Sequence, residues 1–363
     1  MSSSQSEIRV YVGNWSDNQT GGIFQYHMDP VTGALTFVAK SQEAGSPFYF
    51  TLDPSGRCLY AANTVPSFED LPGGTVCAFS VDKGTGALTF LNEQSAHGVL
   101  PCYVSLDSQN RHVLVGSYSS GTVAILPIRE DGSLGPATDH VQHTGSSVHE
   151  RQTAPYVHCI LPDPTGRFAL SADLGIDKIM VYRLDVEPGR LIPHDPPSAS
   201  LHPGAGPRHF TFHPNLRIGY VINELDSTIT GYSYDAASGI LTTIETVPTI
   251  PPSFTDTNYC ADILVHPNGR YLYGTNRGHN SIVMFDIDPA TFCLTLREHV
   301  SSEGDFPWNL AIDPTATFVL AANTRSNRVV VFRIDPAIGQ LTFTGQDAEV
   351  PGALCIKTVR AGG

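Results

Sequence analysis

The sequence predicts an all-β protein: a seven-bladed β-propeller with four-stranded antiparallel blades, its ring closed by pairing of the N- and C-terminal strands. Three observations carry this. First, an apolar run ending in a polar residue, in all but YVIN preceded by a small one, recurs seven times, as VYVGN (10–14), LYAAN (59–63), VLVGS (113–117), ALSAD (169–173), YVIN (220–223), LYGTN (272–276) and VLAAN (319–323). Their last residues lie 49, 54, 56, 50, 53 and 47 positions apart, the spacing of one propeller blade per repeat. Second, the 363 residues hold seven such repeats and nothing else, so one domain over residues 8–360 is expected, with 1–7 and 361–363 as flexible termini. Third, the chain starts with a second strand that lacks a first (8–14). It ends with a first strand that lacks a successor, ALCIKTV (353–359). Joining them completes a blade and removes the open sheet edge.

Each repeat then resolves into four parts. The first strand usually follows Pro or Gly, as in FYFTL after Pro47, CYVSL after Pro101, RHFTF after Pro207 and WNLAI after Pro307. Turns DPSGR (53–57), DPTGR (163–167) and HPNGR (266–270) follow, where Pro presets φ and Gly supplies positive φ. His213 and His266 stand where other repeats have Asp, and read as turn residues. After the second strand come third strands such as TVCAFSV (75–81), KIMVYRL (178–184), SIVMFDI (281–287) and RVVVFRI (328–334). GALTF (33–37 and 86–90), GILTT (239–243) and GQLTF (339–343) announce the fourth strand, with weaker copies GSL (132–134) and GRL (189–191) and, in the sixth repeat, CLTL (293–296).

Composition narrows the function. A formal charge of −14 without a basic run argues against a nucleic-acid partner. The start lacks the apolar stretch of a signal peptide and no segment approaches a membrane span, so no membrane partner is expected. Seven cysteines, odd in number and without a CxxC pair, suit buried free thiols in a reducing compartment, and the cytoplasm is the expected location. No metal and no cofactor are expected. GAGPRH (204–209) lacks the third glycine of a dinucleotide fingerprint, neither GxSxG nor HExxH occurs, and His149 and His158 are poorly spaced for a metal.

Propeller geometry places the start of each first strand beside the end of each second strand, on one face. One convergent set is therefore Tyr156, His158, Arg208, His209, Tyr259, Asp262, Trp308 and Asn309; the other is Tyr118, Asp173, Glu224, Arg277 and His279. Histidines, arginines and carboxylates around one funnel suit acid–base chemistry on an anionic substrate. Each also has a plainer reading. His158 could be a hydrogen-bonded lining residue, Glu224 a partner of Arg208, the arginines structural ion pairs, and Asp173 a turn residue holding backbone amides.

HPGAGPRHFTFHPN (202–215) and YVINELDSTITGY (220–232) resemble the motifs of the lactonase-type seven-bladed propellers. That family includes propeller 6-phosphogluconolactonases and carboxy-muconate lactonising enzymes. RQTAPYVHCILPDPTGRFALSADLGIDKI (151–179), FTDTNYCADILVHPNGRYLYGTNRGHNSI (254–282) and GSYSSGTV (116–123) extend the resemblance over nearly the whole chain. It implies catalytic roles for His158, Glu224, Arg208 and Arg277, with His209 and Asp173 in neighbouring motif positions. Tyr156, Trp308, Asn309, Tyr118 and His279 complete the expected substrate-binding set. Two departures stand out: Tyr156-x-His158 replaces His-x-His, and Pro307-Trp308-Asn309 replaces Pro-Arg-Asn.

The function expected is hydrolysis of a sugar lactone, 6-phosphogluconolactone or a related aldonolactone. Arginines would hold the anionic group or polarise the carbonyl, and His158 and Glu224 would share the proton transfers. The alternatives are a lactonising isomerase on a carboxy-muconate-like acid and a non-catalytic interaction or sugar-acid-binding propeller. A quinone-dependent sugar dehydrogenase stands further off.

Overall fold

A computed structural model describes residues 7–16, 21–69 and 71–361, with the side chains of 71 and 72 also outside the description. Of the expected termini 1–7 and 361–363, residues 1–6 and 362–363 therefore lie outside the described residues. Seven four-stranded antiparallel sheets form the ring. We number the blades in chain order and call the strands of each, from the axis outward, inner, second, third and outer. Blade one is the closing blade. Its inner strand Ala353–Arg360 pairs antiparallel with the second strand Ile8–Asn14, and Gly22–Met28 and Leu35–Ser41 follow outward. Among the described residues the only helical element is a 3₁₀ turn, Leu174–Ile176.

Blade stacking explains the composition of the repeat. Second strands such as His112–Ser117 and Phe168–Asp173 are buried at every position, because both faces of the sheet lie under a neighbouring blade. Their sequences are therefore continuous apolar runs. Outer strands such as Leu35–Ser41 are part-exposed throughout. The small penultimate residue is a packing requirement where the next blade's inner strand crosses. A Cβ on Gly13 would stand 2.8 Å from the Pro47 carbonyl oxygen, and one on Gly116 2.8 Å from Val157 Cγ1.

The terminal polar residue of the run ties down the loop entering the neighbouring inner strand. Asn63 accepts from the Ser46 amide, Asn323 donates to the Ser302 carbonyl and Asn14 donates to the Pro351 carbonyl. His213 and His266 do hold turns, their Nδ1 atoms accepting from the Asn215 and Asn268 amides. Blade three departs from expectation. Leu134 of GSL makes only an isolated bridge to Ile128, and the outer strand comes later, at Asp139–Gln142. The Asn92 side chain occupies both the amide and the carbonyl of Leu134, so neither is free for a longer ladder.

One irregularity recurs and positions the site. In blades two, three, four, five and seven the inner-strand register slips after its first residue, leaving Phe48, Cys102, His158, Arg208 and Trp308 as the extra residues. A bulge re-aims the side chain it carries. It also lets consecutive residues join one network, which a flat strand forbids. Arg208 and His209 accordingly bond each other, Nη1 to Nε2, at 3.1 Å.

Candidate active site

At the mouth onto which the bulges open, the Glu224 carboxylate is the hub. Its Oε2 lies 3.1 Å from Arg208 Nε, 2.7 Å from Arg277 Nη2 and 3.5 Å from His158 Nε2; its Oε1 accepts from Arg151 Nη2 at 2.7 Å. The four side chains expected to converge thus meet, His158, Arg208 and Arg277 around the carboxylate of Glu224. All four are nearly buried, whereas the Arg151 side chain is 32% exposed and faces solvent.

The two buried guanidiniums are anchored by backbone. Arg208 donates to the Ala261 carbonyl at 2.6 Å, and Arg277 to those of Tyr259 at 3.2 Å and Cys260 at 2.9 Å. Three cations meet one carboxylate, an excess of two positive charges in a chain whose formal charge is −14.

The titrations follow from this packing. Burial alone would raise the Glu224 pKa, but Arg277, His158, Arg208 and Arg151 together hold it well below the usual carboxylate range. Burial, and next the Arg208 charge, push His158 well below the ordinary histidine value, so it is neutral. Burial lowers Arg277 to about 10, which leaves it a cation at neutral pH.

Behind this hub lies a second buried pair. His209 Nδ1 meets Asp262 Oδ1 at 2.7 Å, while the other Asp262 oxygen accepts from the Asn309 amide and from the Leu310 backbone at 2.9 Å. Because Arg208 donates to His209 Nε2, the Nδ1–H must face Asp262, which fixes a neutral tautomer. Burial and the Arg208 charge lower the His209 pKa to about 4.

Aromatic rings wall the funnel. Tyr118 stacks on Tyr156 with centroids 4.8 Å apart and tilts against His158 at 4.6 Å; its hydroxyl accepts from Arg151 at 3.3 Å. Trp308 lies under Arg277 at 4.5 Å and Arg208 at 5.2 Å. The series continues outward through Phe306, which faces Arg277 at 5.2 Å and exposed Arg325 at 3.8 Å. Guanidiniums and rings alternate from rim to centre, an arrangement that holds cations in place without neutralising them. Phe306 sits at φ 66°, strained for a bulky residue, with its amide held by Asn280.

Two expected binding residues are placed elsewhere. Asp173 is fully buried and both its oxygens are occupied: Oδ1 takes the Tyr156 and Gly175 amides, and Oδ2 meets His143 Nδ1 at 2.7 Å. His143 in turn meets the Tyr182 hydroxyl at 2.7 Å. This is a structural triad, as the plainer reading of Asp173 had it. His279 bonds Ser281 and packs on Phe254 and His299, apart from the Glu224 hub. Asn309 belongs to the Asp262 tier deeper in the channel, bridging to the Ile356 amide. Arg151 is the residue that sequence reasoning missed. Its signal was the length of the connection 143–156, which with 249–258 exceeds the other connections between blades.

The family described as "Lactonase, 7-bladed beta-propeller" matches residues 9–358. The chain belongs to this family. The 6-phosphogluconolactonase of Bacillus subtilis is 37% identical over 348 residues, covering 96% of this chain and 97% of that one. Among solved structures, a putative 6-phosphogluconolactonase from Bacteroides fragilis superposes with TM-score 0.91 at 30% identity, covering 99% of both chains. The periplasmic gluconolactonase of Pseudomonas aeruginosa superposes with TM-score 0.92 at 31% identity, covering 98% of this chain and all of that one. As a member of the family the chain is a lactonase-type propeller, and these relatives do not favour the isomerase or scaffold alternatives. Among the described residues no helix is long and apolar enough to cross a membrane, and no group of three His, Cys, Asp or Glu gathers as a metal site.

Proposed function

We propose that the protein hydrolyses a sugar lactone, 6-phosphogluconolactone or a related aldonolactone, at the Glu224 hub. One observation carries the reading: a neutral histidine stands beside a carboxylate already paired with three guanidiniums, in a site with two positive charges in excess. Such a site attracts an anionic, charge-accumulating substrate.

In the mechanism, Arg208 and Arg277 face the lactone carbonyl and stabilise the oxyanion as water adds. His158 Nε2 takes the proton from that water. The imidazolium so formed lies 3.5 Å from Glu224, whose negative charge stabilises it. When the tetrahedral intermediate collapses, the C–O bond to the ring oxygen breaks and His158 returns the proton to that oxygen. Glu224 was expected to share the proton work. Its carboxyl is held ionised by three arginines, so it has no proton to give near neutral pH. Its role is to align the guanidiniums and stabilise His158 when charged. Arg151, and beyond it Arg325, supply positive charge at the rim for a phosphate or carboxylate remote from the ring. Tyr118, Tyr156 and Trp308 give flat surfaces for the sugar.

All seven cysteines are free, which supports a reducing compartment and a cytoplasmic location. Turnover of 6-phosphogluconolactone, gluconolactone and a carboxy-muconate by purified protein tests the assignment. Lactone hydrolysis that falls about 10²–10⁴-fold in His158→Asn is expected. Hydrolysis undiminished in that variant, or turnover of the muconate alone, refutes it.

A further inference from the structure

At the opposite mouth of the channel, where the inner strands of blades one and two end, a cavity of about 450 Å³ opens between the turn 53–56, Lys83 and the closing-strand segment 357–360. Four basic side chains line it (Arg9, Lys83, Lys357 and Arg360) against one carboxylate, Asp53. The whole chain has 21 basic and 35 acidic residues, so this concentration runs against the overall charge.

The nearby carboxylates of Asp53 and Asp82 are oriented by their own turns rather than toward the cluster. Asp53 is turned into its own turn, Oδ1 accepting from the Arg57 and Cys58 amides at 2.6 and 2.7 Å and Oδ2 from the Ser55 hydroxyl. Asp82 is occupied likewise by the amide and hydroxyl of Thr85, both at 2.7 Å. Among the described residues, no carboxylate oxygen lies within 4.0 Å of a side-chain nitrogen of these four cations.

Three of the cations are held in position with charge to spare. Buried Arg9 donates to the carbonyls of Lys83 and Gly84 at 2.7 Å, which fixes the loop that carries exposed Lys83. Lys357 uses one N–H on the Tyr49 hydroxyl at 3.0 Å and lies over that ring at 4.5 Å, and its charge also acts on buried Asp262, which leaves two N–H donors for a ligand. Arg360 uses one donor on the Pro314 carbonyl at 3.2 Å. A concave, preorganised cluster of this size and charge matches a small phosphate-bearing molecule; a nucleic acid needs an extended basic track.

We infer that the lower mouth is a second anion site, binding the phosphate group of a small organic phosphate, apart from the Glu224 funnel. Calorimetric titration of the full chain with inorganic phosphate and with 6-phosphogluconate, at ionic strength fixed with chloride, tests it. Two binding events are expected in the wild type. Lys83→Ala/Arg360→Ala, both on exposed side chains, should weaken one of them about tenfold or more and leave lactone turnover unchanged. Arg277→Ala should remove the other event and spare the first. If inorganic phosphate binds the lower site and 6-phosphogluconate does not, the inference of an organic phosphate falls; if 6-phosphogluconate binds there as tightly or more tightly, it stands. A single event lost in Arg277→Ala, or isotherms unchanged in the double variant, overturns the inference. Lactone turnover is measured independently, so failure here leaves the funnel assignment standing.

Discussion

Replacing Glu224 by Gln separates the two roles a carboxylate could have at this hub. The substitution keeps shape and removes the charge that faces Arg151, Arg208, Arg277 and His158. At an effective dielectric of about 20, a unit charge 3.5 Å from His158 is worth about 5 kcal/mol, or about 3.5 pH units. Water entering the loosened site and movement of the freed guanidiniums screen part of that, so a shift of about one to three units is expected. The sign is fixed: Glu224 raises the His158 pKa, so its neutralisation lowers it further. The acid limb of kcat/KM, where His158 becomes protonated, should therefore move to lower pH. The maximal rate should fall about 10²–10³-fold as the arginines lose their alignment. Breaking a buried ion pair should also cost about 3–5 kcal/mol of stability, read by chemical denaturation. Lactone disappearance followed by carbon-13 NMR between pH 4 and 8, corrected for spontaneous hydrolysis, gives the profile. An acid limb that moves to higher pH in Glu224→Gln would mean that the carboxylate does not stabilise the charged imidazole. A limb that stays in place would uncouple it from His158. Either result refutes the roles assigned here.

Further outcomes follow from the same packing. Trp308→Ala removes the ring faced by both buried guanidiniums; with each cation–π contact worth about 0.5–2 kcal/mol, KM should rise several-fold to about thirtyfold, more than kcat falls. Arg151→Met should raise KM for a phosphorylated lactone more than for gluconolactone, since its exposed charge lies at the rim; equal effects on both would deny it a role in phosphate selection. Stability should fall on acidification between pH 6.5 and about 4. In that window unfolded histidine binds a proton that buried His209 refuses, a contribution of about 3 kcal/mol that His209→Asn should abolish from the denaturation profile. Deleting residues 353–363 strips blade one of its inner strand and leaves Ile8–Asn14 with an open edge; loss of cooperative unfolding or aggregation is expected by calorimetry.

The fold was legible because every blade meets the same demand. A sheet covered on both faces needs an apolar second strand, in most blades a small residue where the next inner strand crosses, and a polar residue to hold the loop. That requirement repeats in the letters from VYVGN to VLAAN. Closure was legible because each terminus supplied what the other lacked. Blade three was misread at one element, since the side chain that captures Leu134 comes from Asn92, in another repeat. No local pattern announces a contact of that kind.

The candidate site was legible as a set of residues but not as an electrostatic arrangement. His158, Arg208 and Trp308 could be aligned because each stands second in its inner strand. That this slot is a bulge aimed at the funnel depends on register, which a single repeat does not encode. Asp173 and Glu224 looked alike, each a carboxylate at or just past the end of a second strand. Their fates differ by what the adjoining blade offers. Asp173 receives two backbone amides and an imidazole and is consumed by the fold, whereas Glu224 receives three guanidiniums and becomes the centre of the site. The third of those, Arg151, arrives from a long connection, where strand periodicity has no purchase. Arg277 does most to hold Glu224 ionised, with Arg208 and then Arg151 adding to it, so in the proposed mechanism Glu224 serves as a fixed counter-ion and the proton transfers fall to His158.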